Sequence, residues 1–425
     1  MMLKRTPAIA FIAALLWACP LIYEAPELPE GPKTEDGGPP PQSGLTWHDD
    51  VAPILADHCL RCHEEGGIAP FPLGTYAQAK PMAGAIAAST RSRSMPPFLA
   101  DGSGECGEWV DANWLSDAQI QTLTDWAATG AAEGESKPAP EVPPLPTIEA
   151  PDLTVTMPVS YLPDDGVSDD YRCFLVDPEL TENIFVTRYE VVPGDPRVVH
   201  HVILYSPANA GAERAAEARD GEGGRPGYSC YGGSGVPSNM LAAWAPGTGA
   251  VSYPAGTGLE LPAGRKLILQ MHYNMVNGAF EDRTSIRLET ASQVDSPGLM
   301  RVHGFNEFAI PPGEASYTVK NAVTAREAGA AQAIRLWGLI PHMHELGTTF
   351  RLERIRNGER HCLVDVKHWD FNWQLGYFLH EPVELRPTDQ LEITCNFDSS
   401  RRTEITRFGE DTMDEMCLAM LYLTP

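Results

Sequence analysis

The hydrophobic and polar positions follow two different periods along the chain. Between residues 45 and 134, apolar residues recur at the spacing of amphipathic helices. From residue 152 onward, short apolar runs alternate with turns rich in Gly, Pro and Asn, which is the pattern of antiparallel β-structure. The pattern therefore predicts a small all-α domain followed by an all-β region.

Three helices are predicted in the first part. One covers 47–58, a second covers parts of 75–93, and a third begins at Ser116. Gln119 stands three residues after Ser116, so the two side chains can cap each other's backbone N–H groups in a capping box. Gly130 is predicted to end this helix, because glycine readily adopts the left-handed conformation found after a helix C-terminus.

The all-β region is long enough for two antiparallel, jelly-roll-like sandwich domains rather than one. Residues 293–298, a run of polar and turn-forming residues, break the pattern between them. Asn357-Gly358 stands between two strand-like runs and predicts a two-residue hairpin turn. The predicted strands include Val198–Tyr205, Lys266–Asn274, Arg335–Ile340 and Gln390–Phe397.

Two proline-rich stretches separate these parts. Neither has the apolar content to form a core, so both are predicted to be extended. The predicted organisation is a signal peptide at 1–19, a tether at 20–44, the helical domain at 45–134, a linker at 135–151, the first sandwich at 152–295 and the second at 296–425.

The composition excludes one large class of function. Acidic side chains outnumber basic ones by 57 to 31, so the formal net charge is −26. A chain with this charge has little with which to replace the counterions of a phosphate backbone, so no nucleic-acid partner is expected. The hydrophobic fraction of 43% is sufficient for several cores.

The first residues have the organisation of an export signal. Lys4 and Arg5 precede an apolar run, 8–18, that is too short to span a bilayer as a mature helix. The run ends in Leu16-Trp17-Ala18-Cys19, which resembles a bacterial lipobox with Cys19 as the lipidated residue; a plain secretory signal with an incidental Cys19 is the alternative. Either way the mature protein is expected in the periplasm or at the cell surface, where disulfides persist. A lipid on Cys19 would be its only attachment to the membrane.

The helical part contains Cys59-Leu60-Arg61-Cys62-His63, a CxxCH motif. Its two thiols can form thioethers with haem vinyl groups, and His63 can bind the iron. A redox-active dithiol and a chance match are the alternatives, but an exported helical segment favours one covalently bound haem c. Met95, before Pro96-Pro97, is the predicted second iron ligand; Met82 is the other candidate, but it lies in a helical stretch typical of core. The segment resembles a small c-type cytochrome, in which His/Met ligation suits electron transfer.

The all-β region contains a second candidate site in His342-Met343-His344. Side chains alternate between the two faces of an extended strand, so His342 and His344 are expected to point the same way and Met343 the other. Two neutral imidazoles held this close form half of a metal site.

Three further features of this region are weak when each is taken alone. His200 and His201 are adjacent in a predicted strand, so they can share a metal only at a β-bulge or through different ring nitrogens. His272 alone would more often be a buried structural histidine, and Met416 alone would more often be core. As a metal ligand, the soft thioether of Met416 would favour copper in its reduced state.

In order and spacing, these elements resemble the type II copper, ascorbate-dependent monooxygenases, a family that includes dopamine β-monooxygenase and the peptide-amidating hydroxylase. The resemblance covers about 152–425. The runs that carry it are His200-His201, Ala243-Trp244-Ala245-Pro246, Gln270-Met271-His272-Tyr273, Ile310-Pro311-Pro312-Gly313-Glu314, His342-Met343-His344 and Glu415-Met416-Cys417.

This resemblance implies two copper ions in two centres that a solvent cleft separates. The electron-donating copper, in the first sandwich, would be bound by His200, His201 and His272. The catalytic copper, at which molecular oxygen is activated in the second sandwich, would be bound by His342, His344 and Met416. The implied reaction is hydroxylation of a C–H bond in a small organic substrate.

The resemblance also bears on the cysteines. It implies two disulfides, Cys173–Cys230 in the first sandwich and Cys395–Cys417 in the second. Cys106 and Cys362 have no counterpart in the family, so both are expected to be unpaired.

One departure from the family concerns the substrate. The peptide-amidating members have an Arg two residues before the His-x-His pair, and it binds the substrate carboxylate; this chain has Ile340 there. Leu418 and Met420 stand where those members have Asn and Tyr. A less polar substrate that is not anchored by a carboxylate is therefore expected.

These features together predict an exported copper monooxygenase with its own cytochrome c domain. The haem would take the place of ascorbate and pass electrons from a periplasmic or extracellular donor to the three-histidine copper. The alternative is a non-catalytic electron-transfer or copper-binding protein on the same fold.

Overall fold

The computed structural model describes residues 44–67, 69–409 and 413–425. The predicted signal peptide, and with it Cys19, lies outside the described residues. Within these ranges no helix is both long enough and apolar enough to cross a membrane. The described chain begins with helices and continues almost entirely as strands, in the order that the hydrophobic pattern predicts.

The helical segment contains the three predicted helical regions. Thr46 caps a π-helical turn, Trp47–Val51, which runs directly into the first α-helix. In the second region Pro81 lies in a 3₁₀ turn between two short helices, because proline lacks the N–H group that a continuous helix would use. Ser116 forms the predicted capping box. The helices are α1 (Ala52–His58), α2 (Tyr76–Ala79), the 3₁₀ turn Lys80–Met82, α3 (Ala83–Arg91) and α4 (Asp117–Ala128).

The all-β region contains one further helix, α5 (Ala210–Glu217), and a 3₁₀ turn, Glu222–Gly224. Its strands among the described residues are β1 (Leu153–Thr156), β2 (Asp169–Val176), β3 (Ile184–Val192), β4 (Val199–Pro207), β5 (Tyr228–Ser229), β6 (Ser238–Trp244), β7 (Val251–Ser252), β8 (Thr257–Leu261), β9 (Leu267–Asn274), β10 (Ser285–Ala291), β11 (Ser296–Gly304), β12 (Ala309–Ile310), β13 (Tyr317–Thr324), β14 (Ile334–His342), β15 (Gly347–Arg356), β16 (Glu359–Val366), β17 (Tyr377–Leu385), β18 (Gln390–Phe397), β19 (Thr406–Arg407) and β20 (Leu418–Thr424).

The predicted strands are all present, with ends that differ by at most two residues from the prediction. Asn357 and Gly358 connect β15 to β16 with φ of 52° and 85°. Two consecutive positive φ values define a type I′ turn, which matches the twist of a hairpin. The predicted hairpin is therefore confirmed.

Four sheets account for the described strands. The largest has nine strands in the order β1-β10-β3-β8-β11-β20-β14-β17, with β7 also paired to β3. A five-stranded sheet, β5-β2-β9-β4-β6, covers its first half, and a four-stranded sheet, β13-β18-β15-β16, covers its second half. The pair β12-β19 is separate. The large sheet is continuous because β8 pairs in parallel with β11, which begins the second half.

Each part of the chain has its own hydrophobic core. In the helical segment it is built around Trp47, Leu55, Leu123 and Trp126. In the first half of the β region it lies between the five-stranded sheet and β1, β3, β8 and β10; in the second half it lies between the four-stranded sheet and β14, β17 and β20. The metal-ligand candidates lie at the ends of strands that border these two cores.

The helical segment is fastened to the second half by residues 98–110. Ala100 forms an isolated bridge with Val366, and Trp109 forms one with Leu379. Phe98, Leu99, Ala100, Cys106 and Trp109 are buried in the core of the second half. The linker at 135–151 is therefore not the only attachment of the helical segment among the described residues.

Cys106 and Cys362 form a disulfide across this contact, so the expectation that they are unpaired was wrong. They lie 256 residues apart in sequence, and Cys106 belongs to the helical segment rather than to the family's domains. No spacing rule connects two such positions, and only the packing of 98–110 on β16 and β17 brings them together. Cys173–Cys230 and Cys395–Cys417 are also bonded, as the resemblance implied.

Replacing both Cys106 and Cys362 by serine is expected to lower the free energy of unfolding by about 2–4 kcal/mol, because the bridge restricts the unfolded chain. Denaturation under non-reducing conditions, followed by tryptophan fluorescence, measures the change. Val110→Ser, an exposed position in the same segment, is the control and should have little effect. Equal stability of the double variant and the wild type would show that the bridge contributes nothing beyond the noncovalent contacts.

Candidate metal centres

The first centre is a cluster of His200 and His201 from β4 and His272 from β9. One side-chain nitrogen from each of the three lies within 4.8 Å of the others. The His272 ring centroid is 4.7 Å from that of His200 and 4.4 Å from that of His201. The β4–β9 register shifts between Val199 and His201, so the strand is irregular at the point where adjacent histidines must turn to the same side.

Two rings of this cluster approach each other through their Nδ1 atoms, and the third has a buried Nδ1 atom without a partner. His201 Nδ1 is 3.0 Å from His272 Nδ1, and His200 Nδ1 is buried without a hydrogen-bond partner. A buried imidazole nitrogen without a partner is costly unless something binds its lone pair. A metal ion at this point would satisfy all three rings at once.

Electrostatics keeps these imidazoles neutral, as metal binding requires. Burial, together with the neighbouring His272, lowers the pKa of His200 to about 4. Burial also lowers the pKa of His201 well below its usual value, and that of His272 below its usual value. The rings therefore offer lone pairs rather than positive charges at neutral pH.

Asp169 on β2 fixes the orientation of His272. Its Oδ1 is 2.8 Å from His272 Nε2 and also accepts a hydrogen bond of 2.9 Å from Asn274 Nδ2. The hydrogen bond to His272 lowers the pKa of Asp169 to about 2. An ionised carboxylate on Nε2–H leaves Nδ1 as the lone-pair nitrogen. The Tyr171 ring stacks on His272 at 4.1 Å and holds the same orientation.

The second pair of histidines lies where β14 ends. The ring centroids of His342 and His344 are 5.1 Å apart at an interplanar angle of 83°. Met343, between them, is buried in the core of the second half, as strand alternation predicts. Burial lowers the pKa of His342 to about 4, with a further contribution from His344.

Both rings of this pair are held through Nδ1. His342 Nδ1 is hydrogen-bonded to Gln374 Oε1, and His344 Nδ1 lies 3.1 Å from the Asp414 carbonyl oxygen. An acceptor on Nδ1 fixes the tautomer in which Nε2 carries the lone pair. The second centre would therefore use Nε2 donors, in contrast to the Nδ1 donors of the first.

The segment that carries Met416 is attached to the histidine segment by Glu415. The fully buried Glu415 carboxylate accepts backbone hydrogen bonds from His344 N at 2.8 Å, Leu346 N at 2.6 Å and Met416 N at 3.2 Å. Burial raises the pKa of this carboxyl to about 7. The Cys395–Cys417 disulfide fixes the other side of Met416 to β18.

Apolar side chains surround His342 on its own face of the sheet. Ile340 lies opposite Met420, and His342 lies opposite Leu418. Residues opposite each other in an antiparallel pair point to the same side. Val302 on β11 lies opposite Met420 and is 65% exposed. These residues form an apolar strip, Val302, Ile340, Leu418 and Met420, that leads to His342.

A loop of the second half reaches both histidine sets. In this bridging loop, residues 370–374, the Trp373 ring centroid is 5.7 Å from that of His200. The next residue, Gln374, binds His342. The Phe371 ring centroid is 5.9 Å from that of His344. The expected solvent cleft between the two sets is therefore crossed by protein at this point.

The CxxCH motif lies at the end of α1. Among the described residues, Cys59 and Cys62 are the cysteines outside any disulfide. Burial raises the pKa of Cys59 to about 12 and that of Cys62 to about 11, so neither is the exposed, low-pKa thiol of a redox dithiol. His63 Nδ1 lies 2.9 Å from the Phe71 carbonyl oxygen, which leaves Nε2 as the nitrogen for an iron ion.

The two candidate second ligands of the iron differ in position. Met95 lies in the loop after α3 and lines a small cavity with Thr90, Arg93, Asn113 and Trp114. Met82 packs against the helical core, as expected of a core residue. His58, next to the motif, is held by Asn113 and Gln119.

Sequence reasoning missed several residues that shape the two sets. Asp169, Trp373 and Gln374 carry no motif, and only strand register and loop packing bring them to the histidines. Glu415 was visible only as a member of the Glu-Met-Cys run, and its role depends on the backbone contacts of its carboxylate.

Comparison with known proteins agrees with this geometry. The family model described as copper type II ascorbate-dependent monooxygenase, N-terminal domain, matches residues 153–279. The model for the C-terminal domain of the same family matches residues 298–424. Together the matches cover more than half of the chain. The chain therefore belongs to the copper type II ascorbate-dependent monooxygenases, and it carries both domains of that enzyme family.

Individual relatives are moderately similar. "Putative DBH-like monooxygenase protein 2" of Homo sapiens is 28% identical over 285 residues, which are 62% of this chain and 54% of the relative. "Tyramine beta-hydroxylase" of Caenorhabditis briggsae is 24% identical over 300 residues, 66% of this chain and 47% of the relative. "Dopamine beta-hydroxylase" of Canis lupus familiaris is 29% identical over 204 residues, which are 45% of this chain and 32% of the relative.

The chain spans about half the length, or less, of the curated relatives it matches. Among solved structures, the major capsid protein P2 from Bacteriophage PM2 matches 64% of this chain, and 96% of its own chain, with a TM-score of 0.25 and 8% identity. A likeness at this level does not bear on fold or function.

Asp169→Asn is expected to weaken copper binding at the first centre by about tenfold, because the loss of a ligand's charged hydrogen-bond partner typically has that effect. Titration with copper against a competing chelator measures the change. Asp177→Asn, an exposed position beyond the same strand, is the matched control. Unchanged affinity in Asp169→Asn would show that the carboxylate does not orient His272.

Proposed function

We propose that this chain is a copper-dependent monooxygenase that hydroxylates a C–H bond of a small, largely apolar organic molecule with molecular oxygen. One observation carries the proposal. Two donor sets of different composition converge in a chain that has both domains of the family: three imidazoles in the first half, and two imidazoles with an adjacent methionine segment in the second.

The donor sets fit copper. Neutral imidazole nitrogens are good ligands for copper in both oxidation states, and a thioether favours the reduced ion that reacts with oxygen. When bound, copper would activate oxygen at His342, His344 and Met416 and would supply the second electron from His200, His201 and His272. Overall, one substrate C–H bond and one O₂ consume two electrons and two protons, and they yield the hydroxylated product and water.

The chain's own residues prepare both sets for this chemistry. Burial keeps the imidazoles unprotonated, so copper does not compete with protons at neutral pH. Asp169 is hydrogen-bonded to Nε2 of His272 and Gln374 to Nδ1 of His342, and these bonds fix the orientations of the two rings. Glu415 holds the backbones of His344 and Met416 together, so the two ligands move as one unit.

The apolar strip supports the substrate class. Val302, Ile340, Leu418 and Met420 offer apolar contacts beside His342 and no charge for a substrate carboxylate. Burying a carboxylate on such a surface would be unfavourable, whereas an apolar group gains from leaving water. The substrate is therefore an apolar molecule or one with an apolar end beside the reacting carbon.

We also propose that 45–134 is a cytochrome c domain with one haem c on Cys59 and Cys62. His63 and Met95 would bind the iron. The unbonded thiols and the engaged His63 Nδ1 support attachment at this motif. His/Met ligation would let the haem take single electrons from a periplasmic or extracellular donor.

The motif's contact with the first half supports electron delivery to the three histidines. A Cβ atom on Gly247 would lie 3.2 Å from Cys62 Sγ. Gly247 follows β6, whose Trp244 pairs with Val202 of β4, next to His201. The attachment site thus lies against the sandwich that would hold the electron-donating copper.

The remaining proposals concern organisation and location. The first copper sandwich would be 152–295 and the second 296–425, with linker 135–151 before them. Three disulfides suit an oxidising compartment and support export to the periplasm or cell surface. Lipidation of Cys19, after removal of the signal peptide, would anchor the protein to a bacterial membrane.

Oxygen uptake by the purified chain tests the catalytic proposal. Metal and haem stoichiometry is measured first, and two coppers and one haem per chain are expected. A panel of apolar molecules, amines and carboxylates should give substrate-dependent uptake with its apolar members. Met416→Ala should abolish uptake at normal haem content, because it removes a ligand from the oxygen site. Met413→Ala, at a position that is 63% exposed, is the matched control.

Two results would count against this proposal. Zinc, or no metal, in the purified chain would contradict the copper assignment. Full copper loading without uptake for any member of the panel would favour a non-catalytic electron-transfer or copper-binding protein on the same fold.

The haem proposal has its own test. Reduced haem in the chain loaded with cupric copper should be reoxidised in the absence of oxygen, because the cupric ion at the three histidines would accept its electron and become cuprous. His272→Ala should prevent this change in haem absorbance while haem content stays normal. His361→Ala, a partly exposed histidine outside both sets, is the control. If haem remains reduced in the wild-type chain, the haem is not the electron donor.

A further inference from the structure

The bridging loop, residues 370–374, joins the two histidine sets. Its Trp373 ring lies against His200 of the first set, with 5.7 Å between centroids and an interplanar angle of 44°. The side chain of the next residue, Gln374, is hydrogen-bonded to His342 of the second set. One peptide bond therefore separates a contact with one set from a contact with the other.

The loop is held in a defined shape. Trp373 N donates to the Asp370 carbonyl oxygen at 3.0 Å, and Gln374 Nε2 donates to the Phe371 carbonyl oxygen at 3.0 Å. Asn372 N donates to Asp370 Oδ1 at 2.9 Å. Just before the loop, Trp369 Nε1 donates to the His344 carbonyl oxygen at 3.1 Å. These bonds attach the loop to the second histidine set. The Trp373 ring is the part of the loop that lies against the first set.

The reaction needs such a connection because the two electrons come from different centres. One is available where oxygen reacts, and the other must cross from the three histidines. A path through water would need no particular residue between the sets. Here the Trp373 ring lies beside His200, and the next residue, Gln374, is hydrogen-bonded to His342. The chain thus offers a path of fixed protein contacts between the two sets.

We propose that Trp373, together with Gln374, is the electron-transfer contact between the two copper centres. The inference rests on the proposed copper binding at both sets. With copper bound, His200, His201 and His272 would hold the ion that supplies one electron, and His342, His344 and Met416 would hold the ion at which that electron is used to reduce oxygen. No bond within the loop forms or breaks. Counted over the whole reaction, the two copper ions would supply two electrons, and with two protons one O₂ would convert the substrate C–H bond to C–OH and form one water.

The test is a single turnover of the fully reduced, copper-loaded chain. It is mixed with oxygen and an apolar substrate, and cupric ions are counted by electron paramagnetic resonance in samples frozen at successive times. In the wild type, both cupric signals should appear together with product. In Trp373→Leu, one cupric ion should appear at the normal rate and the second should lag several-fold, with less product per oxygen consumed.

Two variants separate electron transfer from structural support. Trp373→Phe keeps an aromatic ring at the same place, so the two cupric signals should again appear nearly together. His368→Ala alters an exposed residue just before the loop and should behave as the wild type. The cupric spectra and the copper content of Trp373→Leu should match those of the wild type, because Trp373 is not a ligand.

The outcomes distinguish the inference from the proposed function. Synchronous oxidation in Trp373→Leu would overturn the inference, and so would loss of copper from the first set, which would make Trp373 a structural support. Absence of copper or of substrate-dependent uptake in the wild type would instead remove the proposed function itself.

Discussion

The arrangement of both centres depends on the parallel pairing of β8 with β11. This pair continues one sheet from the first half into the second, through Ser296 opposite Thr257. The junction is reinforced by a 2.7 Å hydrogen bond between Thr257 Oγ1 and Tyr422 Oη and by the stacking of Tyr253 on Tyr422 at 4.8 Å. The five-stranded sheet that carries the histidines of β4 and β9 packs on the first half of this large sheet, and β14, which ends at His342, lies in its second half. A bridging loop of only a few residues can then span the two sets.

The second constraint is the burial of the histidine rings. Burial keeps them neutral, but it removes their nitrogens from water and so costs folding free energy. Burial lowers the pKa of His200, His201, His272 and His342, and the Nδ1 atom of His200 has no hydrogen-bond partner. Each unsatisfied lone pair in a buried site opposes folding until a ligand occupies it. Copper that binds the folded chain removes this cost, so metal binding and stability are coupled. The fully buried Glu415 carries a similar cost, and its three backbone hydrogen bonds reduce it only in part, because its pKa is still raised to about 7.

Much of the fold followed from local pattern. Strand period, the Ser116 capping box and the Asn357-Gly358 turn depend on neighbours in sequence, and the structure has all three. The same holds for His342 and His344, which share a face because the strand period is two. The sequence could predict that His200 and His201 share a metal only if the strand is bulged there. Whether it is irregular between Val199 and His201 depends on how β4 pairs with β9, which the local sequence does not determine. Asp169, Trp373 and Gln374 could not be found at all, because their positions depend on sheet register and on a loop that packs across the two halves.

The Cys106–Cys362 bridge imposes an order on the maturation of the chain. In a chain that enters an oxidising compartment from its N-terminus, Cys106 arrives soon after Cys59 and Cys62, and Cys362 arrives 256 residues after Cys106. During that interval the nearest thiols to Cys106 in sequence are those of the CxxCH motif, and a bridge to either would block the haem attachment proposed there. Cys106 must therefore stay reduced, or be released by thiol exchange, until Cys362 emerges.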